Sequence, residues 1–177
     1  MNKQNKTAFT LVEVLLSMVI LGVLMAAVAV AFDASVTNYK VNEGISRAAN
    51  TGRQTLLRIT NDVRTAQAVG LLGVPGIGND SHPSRLTLMT ADGKNVTYRF
   101  DLAAKTLYLI TNDDTTDADY VLCRNVTAMT FYRSTVPDSA PVAIRNVRIV
   151  MTIVDADSGV TQTLAAAAVV RRNLPST

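Results

Sequence analysis

The stretch that decides the fold is Ala8-Phe9-Thr10-Leu11-Val12-Glu13, followed by residues 14–32 without a single charge. Those nineteen residues span roughly 28 Å as a helix, close to the apolar thickness of a bilayer. Glu13 stands at the edge of this run, where a carboxylate in hydrocarbon costs on the order of 2–4 kcal/mol even on lenient scales. An acid held at such a cost marks function, so whatever the chain does has to account for Glu13. Ahead of it, residues 1–8 are polar, with Lys3 and Lys6 and no acid. Positive residues before an apolar run hold that end in the cytoplasm and send the following part outward.

The plainer alternative is a secretory signal or an ordinary signal anchor. Ala27, Ala29 and Ala31 supply Ala-x-Ala patterns for a signal peptidase. That alternative leaves Glu13 unexplained, and the apolar run is longer than a typical signal core.

Downstream of the apolar run charges begin at Asp33, yet nothing stops a helix before Gly70, Gly73 and Pro75. Val41, Ile45, Ala48, Gly52, Leu56, Ile59, Val63 and Ala66 fall three or four residues apart, the spacing of an amphipathic helix with one buried face. Arg47, Arg53, Arg58, Asp62 and Arg64 mostly occupy the other side. The seam is rich in small residues and lacks regularly placed Leu, which favours packing on a sheet of the same chain over a coiled coil. Gly44 and Gly52 each weaken the helix by about 1 kcal/mol relative to Ala, and either permit close packing or allow a bend. Taken as one helix, residues 9–69 would be about 90 Å long.

Residues 70–84, with four glycines and two prolines, read as a loop. No strand precedes these glycines and no Gly-Lys-Thr/Ser follows, so a phosphate cradle is not indicated. His82, the only histidine, has no neighbouring Cys or second His. From Arg85 the apolar period becomes two. Leu86 and Leu88 lead into Ala91-Asp92-Gly93-Lys94, a hairpin turn signal. Val96, Tyr98 and Phe100 alternate with polar Thr97 and Arg99; a turn at 101–105 and a strand at 106–111 complete an antiparallel meander. Short strands follow at 120–123 and 127–133. The clearest hairpin pairs 144–154, with Val147, Ile149, Met151 and Ile153 on one side, to 160–171 through a turn at 155–159.

The 177 residues are 48% hydrophobic but only 5% aromatic, with no Trp, and much of the apolar content lies at the N-terminus. Net charge is +3, and without Lys3 and Lys6 it falls by two, to +1. No dense basic patch with interleaved aromatics occurs, so nucleic acid is not an expected partner. A single cysteine, Cys123, allows no intramolecular disulfide and sits between strand-like neighbours as a buried thiol would. Asp113, Asp114, Asp117 and Asp119 in the acidic loop 112–119 are weak Ca²⁺ candidates, because the glycine and the twelfth-position Glu of an EF-hand loop are missing. A solvated turn is the favoured reading there, and no cofactor or small-molecule substrate is expected. No Ser-His-Asp or metal-ligand spacing points to an enzyme.

Ala8-Phe9-Thr10-Leu11-Val12-Glu13 resembles the class III leader motif of type IV pilins and type II secretion pseudopilins. The resemblance implies that a prepilin peptidase, reading Thr10 and Leu11 as part of its motif, cuts between Ala8 and Phe9 and methylates the new amine of Phe9. Gly22 falls where that family often has glycine, whereas Val30 replaces the helix-breaking proline common in major pilins. Leu86-Thr87-Leu88, Val96-Thr97-Tyr98-Arg99-Phe100, Leu107-Tyr108, Val121-Leu122-Cys123-Arg124-Asn125-Val126, Val147-Arg148-Ile149 and the closing Val169-Val170-Arg171-Arg172-Asn173-Leu174 resemble J-type minor pseudopilins and W-type minor pilins. The implied fold is α+β, a long N-terminal helix packed on antiparallel sheet.

The implied organisation is a leader at 1–8, a transmembrane or filament-core helix at 9–33, its amphipathic second half at 34–69, a loop at 70–84 and a periplasmic or extracellular antiparallel β domain at 85–177. The implied function is that of a minor pseudopilin, joined with other minor and major pseudopilins at the tip of a secretion fibre. The subunit at the very tip of such complexes typically lacks the carboxylate, so this chain is expected below it. Glu13 would pair with the Phe9 amine of a neighbour. A minor pilin of a retractile pilus is the alternative within the family, and a signal-anchored periplasmic enzyme or binding module the alternative outside it. The expected location is the bacterial inner membrane, single-pass, with a cytoplasmic N-terminus, and then the fibre.

Overall fold

The computed structural model describes residues 10–70, 82–111, 120–135 and 144–170. Helix α1 covers Leu11–Thr65 and is followed by β1 Ala68–Val69, β2 Arg85–Met89, β3 Asn95–Asp101, β4 Thr106–Thr111, β5 Tyr120–Arg124, β6 Val126–Thr135, β7 Ile144–Val154 and β8 Thr161–Val169. The chain divides into two units, Met1–Asn42 and Glu43–Thr177. The acidic loop with Asp113, Asp114, Asp117 and Asp119, the Pro137 to Pro141 stretch, most of the 70–84 loop and the closing Arg171-Arg172-Asn173-Leu174 lie outside the described residues.

In the first unit the described residues form the start of α1, and none of them is buried. Leu11 is 76% exposed and Phe32 70% exposed. A helix start that is apolar on every side, with none of its described residues buried, has the surface of a membrane or bundle segment. By length and composition this stretch of α1 can cross a bilayer.

In the second unit α1 buries Gly44, Ala48, Gly52, Thr55, Leu56, Ile59, Thr60 and Val63. This is the expected seam with Gly44, Thr55 and Thr60 added; the two hydroxyls donate to carbonyls of the preceding turn (Thr55 to Thr51 at 2.9 Å, Thr60 to Leu57 at 3.0 Å) and bring no unsatisfied polar group. Ile45 is half-buried and Val41 exposed. The helix ends four residues earlier than the sequence suggests. The Thr65 hydroxyl donates to the Asn61 carbonyl at 3.0 Å, satisfying one orphan acceptor of the last turn. Ala68 and Val69 then pair with Met89 and Leu88 as a short edge strand. The reason is tertiary: an open edge of β2 offers this backbone better partners than another helical turn.

The strands are antiparallel throughout, as expected, and they make two sheets, β1-β2-β3-β4-β5 and β6-β7-β8. The chain changes sheet at Asn125, which stands at φ 60 between β5 and β6. Asparagine tolerates this left-handed region because its short side chain clashes little there. The predicted turns form as read. Thr90 N–H bonds Lys94 O at 2.8 Å, and Asp101 Oδ1 accepts from Ala103 and Ala104 N–H at 2.9 and 3.0 Å. Val147, Ile149, Met151 and Ile153 face the core from β7, as their alternation demands. They join Ile59, Val63, Leu86, Tyr98 and Leu107 in one core. Cys123 is buried in β5, and burial pushes its thiol pKa up.

Candidate functional site

The N-terminus of α1 is built by Thr10. Its carbonyl accepts from the N–H groups of Glu13 (3.1 Å) and Val14 (3.2 Å), and its Oγ1 accepts from Glu13 N–H at 3.3 Å. Thr10 is therefore the N-cap and Glu13 the third helical residue, the Thr-x-x-Glu spacing of a capping box. Sequence reasoning took Thr10 and Leu11 only as a recognition motif and missed the cap, although that spacing was there to find it. A carboxylate in the first turn also lies at the positive end of the helix dipole, which offsets part of its cost in an apolar setting.

Across residues 11–32 the only polar side chains are Glu13 and Ser17. The Ser17 hydroxyl donates to the Val14 carbonyl at 2.8 Å and so needs no outside partner. The Glu13 carboxylate is exposed and has no partner among the described residues. One polar group in this segment thus calls for a partner that the described chain does not provide. Ala8 and Phe9 lie outside the described residues.

A second polar cluster ties α1 to the turn between β7 and β8. The Arg47 guanidinium reaches Glu43 Oε1 at 2.8 Å, both Asp155 oxygens at 3.1 Å, and Asp157 Oδ2 at 3.2 Å. Asp155 Oδ2 also accepts from the Ser158 N–H at 2.9 Å and hydroxyl at 2.8 Å. The Arg47 bonds first, then Ser158, hold the Asp155 carboxyl well below the usual carboxylate range. The turn can sit this close because α1 has Gly44 there: an added Cβ would meet Ser158 Oγ at 2.0 Å and Ser158 Cβ at 2.8 Å. Gly52 likewise admits Leu164, whose Cδ1 would lie 2.2 Å from an added Cβ. Gly44 and Gly52 therefore serve close packing. On the other flank the Tyr98 hydroxyl donates to Asp62, and burial followed by this acceptor raises the Tyr98 pKa.

These contacts are structural. His82 Nδ1 and Ser84 Oγ lie 2.7 Å apart, but they are two residues apart in an exposed turn with no carboxylate in the arrangement. Among the described residues no three His, Cys, Asp or Glu side chains are grouped to hold a metal.

Residues 3–29 match the prokaryotic N-terminal methylation motif. No curated protein and no solved structure gives a significant match to the chain. The motif, heading a long apolar helix packed on antiparallel sheets, supports a type IV pilin-like protein, pseudopilin or pilin. Proteins with this motif are structural rather than enzymatic, and it implies processing by a prepilin peptidase and assembly with other pilins in general. The same helix and motif are consistent with anchoring in an inner membrane.

Proposed function

We propose that the chain is a minor pseudopilin that assembles with other minor pseudopilins at the tip of a type II secretion fibre, held until then in the inner membrane with its β-sheet unit in the periplasm. One observation carries this reading: a membrane-length helix start with every apolar side chain exposed and, in its first turn, a lone carboxylate, Glu13, that has no partner among the described residues. Lipid tails can cover the apolar surface, but hydrocarbon offers the carboxylate no cation. Removal of residues 1–8 would create one, the amine of Phe9. In a bundle of such helices the amine of one subunit meets Glu13 of the next, and pairing in a low-dielectric core is strong because the unpaired state is costly. Assembly then exchanges a strained membrane state for a paired one and sets the axial register.

The test is intact mass and N-terminal analysis of protein from its native host. Loss of residues 1–8 with one methyl group on Phe9 is the expected result; an intact N-terminus, or a cut near Ala31, removes the subunit reading. Deleting the chromosomal gene then separates the fibre types. Lost protein secretion with normal pili supports the pseudopilin role, and lost pili with normal secretion replaces it by that of a minor pilin.

A further inference from the structure

Strand β8 ends its sheet, pairing only with β7. Its nine residues carry no charge and no proline, and its ladder with β7 has no register shift. Exposed edges of this kind are normally blunted, because their free N–H and C=O groups take up further strands. The other edges here are guarded. β1 has two residues, β5 meets β4 with a register shift, and β6 has two shifts and bonds through Phe131 N–H to Pro83 O. Among the described residues, only β8 is a long, regular edge strand with no second partner.

Beside that edge runs a groove of about 290 Å³ lined by Arg53, Leu56, Leu57, Thr60 and the Leu164 to Ala166 stretch. Leu57 is 60% exposed at its side. Arg53, Leu57, Thr60 and Arg64 recur at i, i+4, i+7 and i+11, one stripe of α1. Every ion pair among the described residues centres on Arg47, so Arg53 and Arg64 have no carboxylate partner among the described residues.

We propose that this groove receives an extended, acid-bearing segment of a different fibre subunit, which adds to β8 as a fourth strand and sets a carboxylate against Arg53. The proposal rests on the subunit reading above. Main-chain bonds to the β8 edge supply general affinity, and alternate apolar side chains enter the groove against Leu57 and Leu164. Arg53, which has no acid partner among the described residues, selects the occupant. A second copy presenting its own β8 brings no acid from Thr161 to Val169, so a self-pair leaves Arg53 uncompensated. A heterologous strand with an Asp or Glu completes the site.

The experiment uses the full chain in its native host, with a photo-crosslinking benzophenone residue at Leu57 or Ala165, or at exposed Leu102 in the turn before β4 as control. After irradiation of intact fibres, peptide mass spectrometry is expected to join positions 57 and 165, and not 102, to one extended acid-bearing segment of another subunit. Arg53→Glu is expected to lower that yield about tenfold, as for loss of one charge-assisted contact. Arg53→Lys should retain most of it, and replacing the partner's acid by Arg should restore it in Arg53→Glu; an unchanged melting temperature shows that the variants fold. An adduct with a second copy, with lipid or with a helical segment overturns the proposal. So does the absence of any adduct in chains that have lost residues 1–8 and entered fibres, an outcome that leaves the subunit reading standing. Retention of residues 1–8 overturns both.

Discussion

Single residues set the terms on which the helix packs. Gly44 faces the Ser158 side chain so closely that a methyl group there displaces the turn carrying Asp155. Gly44→Ala gains about 1 kcal/mol of helix propensity but loses more to overpacking, roughly 1–3 kcal/mol. The expected net effect is a loss of about 1 kcal/mol, read by denaturant unfolding of the detergent-solubilised chain. At Gly52 the obstacles are the ends of two flexible side chains, Leu164 and Met151, so the same exchange there is milder. Glu13 works on the other side of the ledger, between molecules. Glu13→Ala is expected to leave folding and leader removal unchanged and to lower incorporation into fibres at least about tenfold, the loss of one well-formed charge pair. Normal incorporation, measured by immunoblotting sheared fibres, would contradict the pairing role. The carboxylate itself was legible in the sequence, because a charge in an apolar run is conspicuous. The Gly44 contact was not, since its partner lies more than a hundred residues away.

At the scale of elements, the turn between β7 and β8 is latched to α1 through Arg47. Because the Asp155 pKa is lowered on folding, its contribution is present in full above the ordinary value near 3.8 and fades as the pH falls below it. Acid unfolding of the wild type should therefore be steeper below that value than that of Asp155→Asn. The two stability curves should converge at the acid end; parallel curves would show that the latch does not contribute. The strands themselves were legible, as period-two alternation survives wherever one face is buried. The break between sheets was not. Asn125 is one residue in a polar spacing compatible with an ordinary turn, and only the pairing of β4 with β5 and of β6 with β7 reveals it as a corner. The helix end was misplaced for a related reason, because Ala68 and Val69 suit helix or strand and the free edge of β2 decided between them.

For the whole molecule, the relevant fact is that the two units depend on different surroundings. Every member of the buried core lies between Ala48 and Val170, inside the second unit. A chain beginning at Glu43 should therefore fold, unfold cooperatively in urea and remain in solution without detergent. Insolubility or non-cooperative unfolding would show that the first unit contributes to the core. On the readings proposed above, the apolar start of α1 is completed by lipid or by other subunits, and the β8 edge with its groove by a partner strand. Both are surfaces a monomer leaves open, as an assembly subunit requires.

The sequence alone determined what depends on order and composition along the chain. These are the leader-like motif with its lone acid, the uncharged membrane-length run, the seam that faces a sheet, and the alternating strands. Each of these is a local pattern, and hydrophobic burial enforces it wherever the segment ends up. Tertiary structure decided what depends on residues meeting across the chain: the stop of α1 at Thr65, the change of sheet at Asn125, the Arg47 latch, the use of Gly44 and Gly52 for close approach, and the exposure of β8. Thr10 falls between the two, a cap written in a four-residue spacing and recognised once its hydrogen bonds to Glu13 and Val14 were in view. It places the carboxylate at the head of the helix, where an approaching amine can reach it.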